Sequence, residues 1–99
     1  MVKEVNSDNF KEEISKGKSI VDFWASWCHP CRIIAPIFDE LSKEMKDIKF
    51  LKLNVDNDGD VAQSYEVMGI PTLILFKDGK EVKRIVGVRS KEDLRKELK

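Results

Sequence analysis

The chain has 99 residues, of which 41% are hydrophobic and 36% are charged, and its 18 basic and 18 acidic side chains cancel. Half of this chain would be too short to form a stable hydrophobic core by itself, so we predict a single domain over residues 1–99. The composition is that of a soluble folded protein and excludes extensive disorder. Because the opposite charges are interleaved, we expect no binding of nucleic acid or of an anionic membrane.

The amino-terminal stretch from Met1 to Ile14 carries charged side chains throughout and contains no apolar run. It therefore lacks the pattern of a signal peptide or of a membrane-spanning segment. Provided that this is the full chain, we expect a cytoplasmic protein.

Apolar residues alternate between periods of about two and about 3.6 along the chain, which predicts an α/β fold. The first segment predicts a short strand over Val2–Val5, then a short helix with an N-cap at Ser7 and an end at Gly17. The run Ser19–Ala25 is nearly continuously apolar, as in a central strand that is buried on both faces. One carboxylate, Asp22, interrupts this run.

After Cys28 the pattern changes to that of a helix, and apolar residues spaced by four, three and four predict that this helix is the longest. The dipeptide Asp78-Gly79 is a strong hairpin signal, so the strands beside it should be antiparallel. A capping box of Ser90 and Asp93 begins the last helix. The resulting order is βαβαβαββα, a mixed sheet with helices on both faces. The remaining predicted elements are strands over Phe50–Val55, Thr72–Phe76 and Glu81–Val86, and a helix from about Gly59 to Val67.

Two cysteines, Cys28 and Cys31, stand where a buried strand gives way to a helix. Unpaired backbone N–H groups in the first helical turn favour a thiolate, and this spacing permits a reversible disulfide. Cys28, nearer the helix end and expected to be more exposed, is predicted to attack, and Cys31 to resolve the mixed disulfide. Half a zinc site that includes His29 is an alternative, although zinc usually takes four ligands. A structural disulfide is another, although the cytosol is reducing.

The segment Val21–Arg32, followed by Ala35-Pro36, resembles the active-site segment of thioredoxins. The run Gly69–Leu73, the Asp78-Gly79 turn and Val86-Gly87 match in order and spacing, so the resemblance covers nearly the whole chain. It implies a thioredoxin fold and the reduction of protein disulfides through a mixed-disulfide intermediate. It implies protein substrates that bear disulfides, a separate thioredoxin reductase, no bound cofactor or metal, and a monomer.

The resemblance also assigns roles to individual residues. Asp22 matches a buried carboxylate that assists proton transfer at the second sulfur, and burial would raise its pKa toward neutrality. Lys52 matches the lysine that pairs with this carboxylate. The plain alternatives are a strand-end aspartate and an outward-facing lysine. The residues that match a substrate-binding rim, including a cis-proline loop, are Trp27, Gly69, Ile70, Pro71, Gly87 and Val88.

His29 departs from the family pattern, because most members carry glycine there. Together with Pro30 it is expected to tune the redox potential of the cysteine pair. One alternative function is therefore a more oxidising dithiol oxidase or isomerase tuned by His29. Another is a non-catalytic binding subunit that uses the same apolar rim.

Overall fold

The computed structural model describes residues 1–99, and its elements follow the predicted order βαβαβαββα. The strands are β1 (Val2–Glu4), β2 (Lys18–Trp24), β3 (Ile48–Asn54), β4 (Thr72–Lys77) and β5 (Lys80–Val86). The helices are α1 (Phe10–Ile14), α2 (His29–Glu44), α3 (Gly59–Ser64) and α4 (Lys91–Leu98). None of these helices has the length and apolar character needed to cross a membrane.

The strands form one mixed sheet in the order β1-β3-β2-β4-β5. Strands β1, β3 and β2 are parallel, whereas β4 is antiparallel to both β2 and β5. Strand β2 is therefore central, with a hydrogen-bonded partner along each edge, which accounts for its nearly continuous apolar sequence. The predicted α/β class and the antiparallel hairpin of β4 and β5 are confirmed.

Helices cover both faces of the sheet, and alternate residues of β2 belong to two separate cores. On one face Val21 and Phe23 pack with buried residues of α1 and α3. On the other face Ile20 packs with buried residues of α2 and α4, among them Phe38. Asp22 lies on this second face, and it lines a cavity together with Phe38. The one carboxylate of the central strand is therefore placed beneath α2.

The turn between β4 and β5 has the backbone that its sequence predicts. Asp78 has φ of +50° and Gly79 has φ of +86°, which is the pair of left-handed conformations of a tight hairpin turn. Asp78 Oδ1 also accepts a hydrogen bond from the backbone N–H of Gly17 at 2.7 Å. This contact ties the hairpin to the loop between α1 and β2.

One predicted N-cap is confirmed and the other is wrong. Ser90 Oγ accepts a hydrogen bond from the backbone N–H of Asp93 at 3.1 Å, which caps α4. The N-cap of α1 is Asn9 rather than Ser7. The Ser7 hydroxyl donates instead to Asp60 Oδ1 of α3 at 2.6 Å. A tertiary partner has therefore replaced the local backbone contact that the sequence suggested.

Candidate active site

The two cysteines lie at the junction of the central strand and the longest helix. Cys28 is the N-cap of α2 and has extended backbone, with φ of −89° and ψ of 110°. Cys31 lies in the first helical turn, and the two Cα atoms are 5.3 Å apart in a closed disulfide. Because β2 is the central strand, this junction lies at the middle of the sheet, at the carboxyl ends of the parallel strands.

The two sulfurs differ in their hydrogen bonding. The backbone N–H of Cys31 donates to Cys28 Sγ, with an N···S distance of 3.3 Å. A donor at a helix N-terminus stabilises negative charge on the sulfur that it faces, so this contact favours a thiolate at Cys28.

The expected difference in exposure between the cysteines is wrong for this disulfide form. Cys28 is 4% exposed and Cys31 is 3% exposed. The physical reason is packing, since Ala25 and the half-buried side chains of Trp24 and Ile70 cover the pair. Hydrogen bonding, rather than exposure, therefore distinguishes the two sulfurs.

The loop before β4 faces Cys28. The Ile70-Pro71 peptide bond is cis, as the resemblance implied, and the carbonyl oxygen of Ile70 lies 3.8 Å from Cys28 Sγ. The backbone N–H of Gly87 donates to the carbonyl of Pro71 at 2.9 Å. Gly87 has φ of +91°, a conformation that glycine adopts without steric cost. These contacts bring the start of β4 and the end of β5 beside the cysteine pair.

The predicted rim residues differ in how much surface they present. Trp27 is 66% exposed and Val88 is 38% exposed, so these two project furthest. The others lie lower: Gly69, Ile70 and Gly87 are half-buried, and Pro71 is buried. The surface around the disulfide therefore has an aromatic side on the loop before α2 and an aliphatic side after β5.

Asp22 and Cys31 line the same cavity, which has a volume of about 350 Å³. Asp22 is 4% exposed, and its Oδ1 atom has no hydrogen-bond partner in the protein. Burial raises the pKa of this carboxyl to about 7, and the positive charge of Lys52 opposes the rise. A carboxyl with a pKa near 7 can both accept and return a proton at neutral pH.

Lys52 faces Asp22 without forming an ion pair with it. The two residues are partners in the parallel register of β2 and β3. However, Lys52 Nζ lies over the Trp24 ring, 5.1 Å from its centroid, in the geometry of a cation–π interaction. The direct pairing that the resemblance implied is therefore replaced by a longer-range effect of the lysine charge on the carboxyl.

His29 and Pro30 are the first two residues of α2, and both are exposed. Proline fits this position because the first N–H groups of a helix have no partner within the helix. His29 directly follows Cys28 in the chain and is exposed to solvent.

Two polar side chains that the sequence analysis did not single out hold the loop that carries Trp27. Asp56 Oδ2 accepts a hydrogen bond from the indole N–H of Trp27 at 2.9 Å. Arg32 donates from Nε and Nη2 to the carbonyl of Ser26, at 3.2 and 2.7 Å. Asp56 follows the end of β3, and the carboxyl ends of adjacent parallel strands meet at one edge of a sheet. That position was the available sequence signal for Asp56.

Two cysteines within one helical turn can form and break a disulfide bond with each other, which suits them to the reversible transfer of an electron pair. This chemistry defines the class of protein, a thiol–disulfide oxidoreductase. A family model described as "Thioredoxin" matches residues 1–99. The chain therefore belongs to the thioredoxin family, and Cys28 and Cys31 are its redox-active centre.

Similar proteins agree with this assignment. Thioredoxin of Chlamydia pneumoniae is 49% identical over 94 residues, which cover 95% of this chain and 92% of that protein. Thioredoxin of Listeria monocytogenes serovar 1/2a is 44% identical over 95 residues, with 95% and 92% covered. Thioredoxin of Staphylococcus haemolyticus is 48% identical over 91 residues, with 91% and 88% covered.

Proposed function

We propose that this oxidoreductase works as a reductant of protein disulfides, with Cys28 as the attacking thiol and Cys31 as the resolving thiol. The observation that carries this assignment is the hydrogen bond of 3.3 Å from the Cys31 N–H to Cys28 Sγ. The thiolate is the reacting form of cysteine, and this donor favours it at Cys28.

The reaction has two exchange steps. The Cys28 thiolate attacks one sulfur of the substrate disulfide, so a Cys28–substrate bond forms, the substrate S–S bond breaks and one substrate thiolate leaves. The Cys31 thiolate then attacks Cys28 Sγ, which releases the second substrate thiolate and closes the Cys28–Cys31 disulfide. Two electrons pass to the substrate, and its two thiolates take up protons.

Asp22 has the role of proton acceptor for Cys31 in the second step. Its support is the cavity of about 350 Å³ that both residues line, together with a carboxyl pKa of about 7. The positive charge of Lys52 lowers this pKa, so Lys52 acts on the proton transfer through Asp22.

The substrate contacts lie around Cys28. The exposed side chains of Trp27 and Val88 offer apolar contact to a disulfide-bearing segment. The backbone of Gly69 and Ile70 lies beside Cys28 and suits pairing with an extended chain, since the Ile70 carbonyl is 3.8 Å from Cys28 Sγ.

The reaction also needs a source of electrons and a reducing compartment. A separate reductase returns the disulfide to the dithiol, and the reducing cytoplasm is the compartment in which the protein works. The protein acts as a monomer, which leaves the surface around Cys28 free for substrate docking. Residues 1–99 act as one domain, supported by a sheet in which β1 from the start of the chain pairs with β3.

Reduction of insulin by dithiothreitol tests this function. Wild-type protein should accelerate precipitation of the insulin B chain, and the Cys28→Ser variant should not. Reduced Cys31→Ser that is freed of dithiothreitol before it is mixed with insulin should accumulate a mixed disulfide, because its first step is intact and its second is blocked. If wild type accelerated insulin reduction no more than the Cys28→Ser/Cys31→Ser double variant, the protein would be a binding subunit rather than a reductant.

A further inference from the structure

Met68 is the large hydrophobic side chain with the greatest exposure in the protein, at 94%. Its exposure does not arise from a loose loop. Arg84 of β5 donates from Nη2 to the carbonyl of Tyr65 at 2.7 Å, which fixes the chain before Met68. The Thr72 hydroxyl donates to the carbonyl of Gly69, which fixes the chain after it. The fold therefore holds an apolar thioether out in water.

Met68 lies next to the site at which substrate reacts. It directly precedes Gly69 and Ile70, and the Ile70 carbonyl is 3.8 Å from Cys28 Sγ. Two residues of extended chain span at most about 7 Å, so Met68 is within reach of a segment bound at Cys28. Methionine is flexible and polarizable, and it adapts to varied apolar partners.

We propose that Met68 is an oxidation site at which peroxide weakens the docking of protein substrates and leaves the Cys28–Cys31 pair unchanged. The inference rests on the proposed function, since it needs substrates to dock around Cys28. In the reaction, the O–O bond of hydrogen peroxide breaks, one oxygen bonds to Met68 Sδ, and the other leaves as water. The sulfur loses two electrons and the peroxide gains them.

Oxidation changes the surface that a substrate meets. A sulfoxide is polar and hydrated, so burying it against an apolar substrate segment removes water that the interface does not replace. Small disulfides that reach Cys28 without touching Met68 are unaffected by this change. The signature is therefore a loss confined to large substrates.

The other two methionines provide controls within the chain. Met1 is 92% exposed, but it precedes β1, whose first residue lies at the opposite end of the parallel strands from Cys28. Met45 is half-buried and packs against the core between the sheet and α2. Peroxide therefore has access to Met1 and Met68, and only Met68 lies beside the cysteine pair.

The test begins with the disulfide form, in which both cysteines are protected, treated with hydrogen peroxide and mapped by peptide mass. After removal of peroxide, dithiothreitol regenerates the dithiol, and reduction of insulin is compared with reduction of a small aromatic disulfide. In treated wild type, kcat/KM for insulin should fall about fourfold to fifteenfold, the effect of losing one or two buried methylene groups. Treated Met68→Leu should show no fall, and the small disulfide should react unchanged in both proteins.

Met68→Gln, which is permanently polar and similar in length, should lower kcat/KM for insulin without peroxide. The inference is overturned if peroxide modifies Met1 but not Met68, or if treated Met68→Leu loses as much activity as treated wild type. It is also overturned if the sulfoxide at Met68 leaves insulin reduction unchanged. Untreated wild type that fails to reduce insulin would instead refute the proposed function, so the two failures are distinguishable.

Discussion

Lys52 lies opposite Asp22 in the register of β3 and β2, yet its ammonium group lies 5.1 Å from the centroid of the Trp24 ring instead of on the carboxylate. The Asp22 carboxyl is therefore buried without an ion pair, and its Oδ1 atom is also without a hydrogen bond. Burial favours the neutral form more than the distant Lys52 charge opposes it, which explains a pKa of about 7. The charged form of Asp22 consequently destabilises the fold.

Replacement of Asp22 by Asn should stabilise the disulfide form, and the gain should grow with pH. Unfolded Asp22 ionises near its ordinary pKa of 3.8, whereas the folded carboxyl ionises near 7. Between these values the folded state keeps a proton that the unfolded state releases, so the wild-type free energy of unfolding falls as the pH rises. Relative to wild type, Asp22→Asn should gain roughly 2–3 kcal/mol between pH 5 and pH 8.

Urea denaturation of both proteins at pH 5 and pH 8 measures this gain. Working with the disulfide form keeps the ionisation of the cysteines out of the comparison. An equal difference in stability at the two pH values would contradict the assignment of the raised pKa to Asp22. Insulin reduction by Asp22→Asn should be slower than by wild type, because the proposed proton acceptor of Cys31 is then missing.

Removal of the Lys52 charge should raise the pKa of Asp22 further, because that charge is the one influence that lowers it. The measurement is an NMR titration of the Asp22 side-chain carboxyl carbon in Lys52→Gln. Lys49→Gln is the matched control, since Lys49 lies on the same strand but lies 3.9 Å from Glu13. A pKa of Asp22 that moves equally in both variants would show that Lys52 has no specific effect.

Most of the fold followed from the sequence because its signals are local and repeated. The apolar run of β2, the stripe along α2 and the Asp78-Gly79 turn each satisfy the backbone and the hydrophobic pattern together. Ser7 was misassigned because its hydroxyl found Asp60 on another element, a partner that no local pattern reveals.

The positions of the site residues were predictable in the same way, whereas their contacts were not. The spacing of Cys28 and Cys31 places both at the start of α2. Their equal burial depends on Ile70, which comes from a loop far along the chain. The Lys52 ammonium group lies over the Trp24 ring. The position of Lys52 in the sequence would equally allow its ammonium group to contact Asp22. Tertiary packing therefore decides what sequence spacing leaves open.

Cys28 should be alkylated before Cys31 in the reduced protein. Its sulfur receives the hydrogen bond from the Cys31 N–H at 3.3 Å and should hold more thiolate at neutral pH. A limiting amount of iodoacetamide at pH 7, followed by peptide mapping, identifies the labelled residue. In the disulfide form the two cysteines are equally buried, so the structure shows no difference in access that would favour Cys28. Labelling mainly at Cys31 would reverse the assigned roles.

His29 should make this protein a stronger oxidant than the same chain with glutamine at that position. It is exposed at the first position of α2, directly after Cys28. Only in its cationic form does an imidazole beside Cys28 stabilise the thiolate of the reduced form, and that form has no equivalent partner in the disulfide. Extra stability of the reduced form raises the reduction potential. For an exposed charge the effect is small, and His29→Gln should lower the potential by roughly 5–20 mV.

Equilibration with glutathione at pH 7 measures the potentials of wild type, His29→Gln and His29→Lys. The lysine variant carries a full positive charge and should have a potential at or above that of wild type, which separates charge from side-chain shape. Glycine is a poorer comparison, because it also changes the backbone entropy of the loop in both redox states. The difference between wild type and His29→Gln should shrink as salt is added, since an exposed charge is screened. Equal potentials in the glutamine and lysine variants would mean that the charge at position 29 does not set the potential.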